Sequence, residues 1–429
     1  MKYNKGIMLK YGNKKITVNL ADKNISGVLS ANKTMPLKNP VSKLEELLER
    51  PINIDGSLDG IVKHKKPKRI LIIVNDITRP TPYNIILPPL LVKLEEAGVK
   101  KEDITFMIAT GAHRGNTRDE NIEIFGEELV SSSYNFINHS CDDNFIDLGR
   151  LASGNRLLIN SIIRKVDFII TTGVIVPHYI AGFSGGRKSI LPGICGKETI
   201  ENNHSNMVNP NAITGNLMEN PVHEEMIEAA QRVGVDFNIN VVTDESGDIV
   251  DIVAGELEGS WKKGVEICKN TYFVPIKQKS EVVIVSAGGY PKDINVYQAQ
   301  KALDNAYQAV KPGGTIVLIA ECIEGIGNTI CDNWIEEANS IEDIEERLKK
   351  HFVLGGHKAY AIAKVAKEAE IIFISSLKEE KVKKLFMKPM ENIDSAINYV
   401  RKKHGDNFKS YIIPSASTLV PSFDKKNSQ

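Results

Sequence analysis

Two imidazoles, a primary amine and a glycine-rich bend fall within the 27 residues from His178 to His204, which makes this segment the first candidate for chemistry. It reads His178-Tyr-Ile-Ala-Gly182-Phe-Ser-Gly185-Gly186-Arg187-Lys188-Ser189-Ile-Leu-Pro192-Gly193 and runs on to Glu201-Asn-Asn-His204. Gly182, Gly185 and Gly186 permit positive φ and let backbone N–H groups approach a ligand closely, as phosphate cradles require. Arg187 and Lys188 would add positive charge beside it. A P-loop needs Gly-Lys-Ser/Thr in sequence, and here Arg187 separates Gly186 from Lys188, which weakens a plain nucleotide-hydrolase reading. Lys188 is open to three uses: a phosphate clamp, a Schiff-base amine, or the anchor of a covalently held cofactor.

Other reactive side chains stand at comparable places. Asp76 and Arg79, in Asn75-Asp76-Ile77-Thr78-Arg79-Pro80, directly follow an apolar run of strand length. Arg79 could fork onto a carboxylate or phosphate with Asp76 orienting it or a ribose, or the two could simply brace a turn before Pro80 and Pro82. His113, in Thr110-Gly111-Ala112-His113-Arg114, also follows a strand, as does His178. Two imidazoles serving opposite sides of one ligand suit a stereochemical inversion, because each face of the carbon needs its own acid or base. His204 lies 16 residues after Lys188, compatible with a metal ligand arriving from another segment. Tyr297 and Lys301 are spaced to share one helix face, with Gln298 beside them; an amphipathic helix with an exposed lysine is the plainer account. His139, His223, His351, His357 and His404 have no such setting.

Continuous apolar strands alternating with helices predict an α/β fold of two domains with mainly parallel sheets. Strands are expected at 69–75, 104–109 and 168–173, and each ends where the polar residues just named begin. Open α/β sheets place their ligands at that edge. The expected domains are 1–272 and 280–404, joined by a polar linker at 276–281, with the tail 405–429 packing back on the first domain as a loop or edge strand. With 429 residues, a large core is available. Lys plus Arg and Asp plus Glu both number 54, so charge favours neither nucleic acid nor a membrane surface. No signal peptide or spanning run is visible, and a cytoplasmic protein is expected. Five scattered cysteines without a C-x-x-C pair support neither a disulfide framework nor a structural zinc site.

On these residues the chain resembles the nickel-dependent lactate racemase family. The pattern His-x3-Gly-x2-Gly-Gly-x-Lys-x3-Pro-Gly is met by His178, Gly182, Gly185, Gly186, Lys188, Pro192 and Gly193, and Asp76, Arg79, Gly111, His113, Arg114, His204, Tyr297, Gln298 and Lys301 fall in the expected order. The resemblance implies a nickel-pincer nucleotide, a pyridinium mononucleotide with two sulfur arms, held as a thioamide on Lys188, with His204 as the protein ligand to nickel. It implies that His113 and His178 are paired acid/base residues for a 2-hydroxy acid whose α-hydrogen passes as hydride to the cofactor. Arg79 and Lys301 would hold the carboxylate and polarise the carbonyl, while Asp76, Tyr297, Gln298, Arg187 and the glycines would position cofactor or substrate. It further implies an active-site cleft between the domains and cofactor-synthesis enzymes as loading partners. Val176 stands where close relatives of lactate racemase are expected to carry an acidic residue, so the expected substrate is lactate or a related 2-hydroxy acid. Two rivals remain open: a phosphotransfer enzyme with Asp76 holding Mg²⁺, and a non-catalytic ligand-binding relative.

Overall fold

The computed structural model describes residues 6–32, 34–416 and 419–423. They form two compact units, one built from the residues between Asn32 and Tyr272, the other from the segment up to Asn32 together with Tyr272 onward. No helix among the described residues is long and apolar enough to cross a membrane.

The middle unit is organised by a six-stranded sheet in the order Ile249–Gly255, Phe237–Thr243, Phe168–Val174, Ile70–Asn75, Ile104–Ala109, Asn135–Asn138. All neighbours are parallel except the first pair, which is antiparallel. Ile70, Leu71, Ile72, Ile73 and Val74 are all buried, as expected of a strand covered on both faces. From Ile70–Asn75 the chain adds strands on one side through Ile104–Ala109, then returns to place Phe168–Val174 on the other. That reversal is a topological switch point, and the loops leaving these three adjacent strands share the carboxyl edge of the sheet. The helix Tyr83–Glu96 covers one face through Tyr83, Ile86, Leu87, Leu90 and Leu94.

The second unit carries another six-stranded sheet: Lys388–Pro389, Glu370–Ile374, Val310–Ile319, Ser280–Ser286, Ser410–Ile413, Ile25–Val28, parallel throughout. Two domain expectations are corrected here. The tail strand Ser410–Ile413 lies inside this sheet rather than against the first domain, because Tyr411-Ile412-Ile413 is buried on both faces and so needs a neighbour on each side. Val420–Phe423 likewise pairs with Phe273–Ile276 of the same unit, while 417–418 and 424–429 of the tail lie outside the described residues. The N-terminal segment also belongs here: a hairpin forms between Ile7–Tyr11 and Lys14–Val18, and its Leu9 and Val18 join a core with Val282, Ile284 and Val317. The supposed linker at 276–281 is the end of one strand and the start of another.

Candidate functional site

Asp76 is the first residue after the strand Ile70–Asn75, and it is buried. Its Oδ1 accepts hydrogen bonds from the Thr78 backbone N–H at 3.1 Å and the Thr78 hydroxyl at 2.7 Å, and its Oδ2 lies 2.7 Å from His113 Nδ1. Burial alone would raise the carboxyl, but the hydrogen bonds from His113 and Thr78 and the charges of His113 and Arg79 outweigh it and hold Asp76 below its ordinary value. An ionised Asp76 can only accept, so His113 keeps its proton on Nδ1 and carries its lone pair on Nε2. The His113 side chain is 42% exposed against 3% for Asp76, which leaves a supported base open to a ligand. The arrangement differs from the expected Asp76–Arg79 partnership: Asp76 orients His113, and Arg79 is exposed with Nη1 bonded to the Thr78 carbonyl and hydroxyl at 3.1 Å each. The turn that carries His113 is fixed by Gly111, whose N–H donates to the Gly193 carbonyl at 3.0 Å. Pro192 and Gly193 thus tie the two motif loops together.

His178 sits in a two-residue strand paired with Gly182–Phe183. Its Nδ1 accepts from the Ala181 backbone N–H at 3.2 Å, and its Nε2 lies 3.2 Å from Lys188 Nζ. Burial, followed by the cationic neighbours Lys188, Arg79 and Arg187, pushes His178 well below the usual imidazole range. Lys188, on the short 3-10 turn Gly186–Ser189, is half-buried and pushed well down by burial and by Arg187 and Arg79. Arg79 from one loop therefore faces the His178–Lys188 pair from the other, which joins the two motifs electrostatically.

Arg187 departs from its expected role. It has no exposed surface: Nη2 donates to the Ala181 carbonyl at 2.7 Å, Nη1 to that of Phe183 at 2.8 Å, and Nε to His223 Nδ1 at 3.2 Å. Its guanidinium also stacks 3.9 Å from the Trp261 ring centre. Arg187 staples the loop that bears His178 and cannot reach a ligand from there. The glycines are corrected in the same sense. Gly185 and Gly186 do adopt positive φ, yet a Cβ on Gly186 would meet Trp261 at 2.7 Å and one on Gly185 would meet Ile175 at 2.7 Å. The Gly186 N–H is already donated to Asn240 at 2.9 Å, and the Gly182 carbonyl accepts from Gly215. The glycine bend packs against the protein's own side chains to aim Lys188, rather than cradling a phosphate.

His204 lies in the helix Lys197–Ser205 and donates its Nδ1–H to the Ile200 carbonyl at 3.0 Å, which puts the ring's lone pair on Nε2. Burial and the nearby Lys188 push it down to about 3, so it stays neutral. A neutral imidazole with its tautomer fixed by a backbone carbonyl is the form that binds a metal. No three His, Cys, Asp or Glu side chains converge among the described residues.

Tyr297, Gln298 and Lys301 lie in the other unit, on the helix Val296–Tyr307 capped by Asn295. Lys301 Nζ bonds Gln298 Oε1 at 2.8 Å, and Tyr297 meets the His357 ring edge-on. Thr78, Trp261, His223 and Asn240 are positioning residues that the motifs did not single out. Each acts through contacts distant in sequence, apart from Thr78, whose place in an Asp-x-Thr turn is a readable signal.

The family models for the N-terminal and C-terminal domains of lactate racemase match residues 11–215 and 276–420. Lactate racemase from Thermoanaerobacterium thermosaccharolyticum is 34% identical over 425 residues, covering 96% of this chain and 98% of that protein. Lactate racemase from Lactiplantibacillus plantarum is 33% identical over 428 residues, with 96% and 99% covered. The apoprotein structure of the Thermoanaerobacterium enzyme covers 97% of this chain and 100% of its own, with a TM-score of 0.89.

Proposed function

The chain belongs to the lactate racemase family, and on that premise we propose that it inverts the α-carbon of lactate or a closely related 2-hydroxy acid. The observation that carries the reading is His178 set against Lys188, with His113 held by Asp76 on a loop from the same sheet and His204 kept neutral on the following helix.

The residues fit a nickel-pincer nucleotide. His204 offers a neutral imidazole whose tautomer is set by the Ile200 carbonyl, and Lys188 offers an amine for covalent attachment. When bound, that group supplies the hydride acceptor. His113, held by Asp76, takes the substrate hydroxyl proton at Nε2 for one enantiomer, and His178 serves the opposite face. Arg79, reaching from the turn above Asp76, binds the substrate carboxylate. Lys301, Tyr297 and Gln298 are assigned to the reaction by the resemblance alone, and Lys301→Ala tests them. Lower kcat with an unchanged cofactor content would place Lys301 in the reaction.

A phosphotransfer reading loses its support, since the Gly186 N–H and the Asp76 carboxylate are both committed within the protein. The test is intact-mass spectrometry with nickel quantification on protein produced together with cofactor-synthesis enzymes, and on Lys188→Ala. A nickel-bearing adduct absent from the variant supports the reading. Nickel-free, unmodified protein, in a preparation where another racemase loads, overturns it.

A further inference from the structure

The helix that bears His204 leans on a single apolar residue. Lys197–Ser205 is nine residues long, has no side-chain cap at Gly196, and buries Thr199, Ile200, Asn203 and His204, of which only Ile200 is apolar. A helix this short is not stable by itself. Its polar anchors must therefore set how it is rotated, and with that the direction of the His204 ring.

Those anchors lead to Glu225, on the helix Pro221–Val233 and 4% exposed. Its Oε2 accepts from Asn203 Nδ2 at 2.9 Å and from Asn155 Nδ2 at 3.1 Å, and its Oε1 accepts from Asn206 Nδ2 at 3.3 Å. The Asn155 amide also donates to the Thr199 carbonyl at 3.1 Å, and Asn203 Nδ2 donates a second time to the Val222 carbonyl at 3.1 Å. These donors to Glu225 are neutral amides, and a buried carboxylate among them costs more desolvation than an amide would. A glutamine could not do the same work, because its NH₂ would face one of the three donors, whereas an ionised carboxylate only accepts. Asn203 bears the consequence. Its Nδ2 is committed twice, while its buried Oδ1 has no hydrogen-bond partner among the described residues. Turning the amide over would set that oxygen against the Glu225 carboxylate.

We propose that Glu225 is the positioning residue for His204: its carboxylate fixes the rotation of the helix Lys197–Ser205 and so holds the imidazole toward the Lys188 side of the site. The inference rests on the metal-binding role proposed for His204 and extends it to a residue that touches neither metal nor substrate. The same helix grips the other motif as well. Asn220, its cap, donates Nδ2–H to the Ile180 carbonyl at 2.9 Å, and His223 accepts from Arg187 on the turn that bears Lys188. The first turns of one helix thus register the attachment lysine and the metal-binding imidazole together, and Glu225 is the grip on the second.

The test compares full-length wild type with Glu225→Gln and with Asn203→Ala, which breaks the same link from its other end and serves where Glu225→Gln does not fold. In cofactor-free protein, amide hydrogen exchange should quicken in the segment 197–206 of both variants and stay unchanged in the strand Ile70–Asn75. In protein loaded with cofactor, intact mass should show the Lys188 adduct retained, while a chelator removes nickel about 10–100-fold faster than from wild type. Asn206→Ala, which leaves the Asn203 link intact, should release nickel at the wild-type rate. Nickel release unchanged in both variants that break the link, or exchange that quickens evenly across the whole unit, overturns the proposal. Failure of the cofactor reading is distinguishable: wild type would then carry no nickel adduct, which removes the purpose assigned to Glu225, while the exchange comparison still decides whether Glu225 holds the helix.

Discussion

His113 and His178 both follow strands of one mainly parallel sheet, yet they are held in opposite ways. A buried carboxylate accepts the Nδ1–H of His113, whereas a backbone N–H donates to Nδ1 of His178. The first imidazole therefore presents a lone pair on its outer nitrogen, and the second presents an N–H directed at Lys188. In the cofactor-free chain the pair is one ready base and one imidazole whose outer nitrogen is turned to the attachment point. Symmetric roles in an inversion thus start from asymmetric supports, and the asymmetry is where the account can be broken.

The largest effect is expected from Lys188→Ala, which should abolish both the cofactor adduct in intact-mass spectra and turnover. Next come His113→Ala and His178→Ala, each expected to lower kcat by about 10²–10⁴-fold while the adduct mass is kept. Equal losses for the two enantiomers of the substrate would indicate that both histidines act in each direction. Asp76→Asn sharpens the comparison, since it should affect the His113 side alone. Losing one charge-assisted hydrogen bond of about 1.5–3 kcal/mol predicts a kcat decrease of roughly 10–100-fold with cofactor content unchanged. An effect as large as that of His113→Ala would mean that Asp76 touches the ligand directly.

The smallest effects concern stability, and they separate the two units. His223 accepts from Arg187 and is pushed down to about 3 by burial and by the charges of Arg187 and Lys262. A depressed histidine contributes stability that is complete above its unfolded value of 6.5 and is lost as pH falls toward 3. Asp304, in the other unit, is raised to about 6 by burial despite Lys358 nearby. Its contribution is complete below its unfolded value of 3.8 and is lost as pH rises through 6. For either group, a tenfold change in proton affinity on folding corresponds to about 1.4 kcal/mol. Urea titrations across pH 4–7 should show Asp304→Asn removing a decline with rising pH and His223→Gln removing a decline with falling pH.

Legibility in the sequence followed the range of the forces involved. The strands Ile70–Asn75, Ile104–Ala109 and Phe168–Val174 were readable because continuous apolar runs of that length belong to doubly covered parallel strands. His113 and His178 could be located because they end such strands. Arg187 and its neighbour Lys188 look equivalent in the sequence, but a 3-10 turn sends successive side chains about 120° apart, one inward to Trp261 and the next toward His178. The glycines' positive φ was foreseeable, but not the identity of what presses on them, since Trp261 and Asn240 arrive from far along the chain. The tail was hidden by Pro414 and Pro421, which punctuate it like a loop although Ser410–Ile413 is an interior strand.

The most direct test of the account is to incubate cofactor-loaded protein with a single enantiomer of lactate in D₂O, following chirality by chromatography and α-deuterium by mass spectrometry. Inversion through hydride transfer predicts racemic lactate with its α-hydrogen retained. Deuterium at the α-carbon of the inverted product would instead show proton abstraction from carbon, and would contradict the roles assigned here to His113, His178 and Lys188.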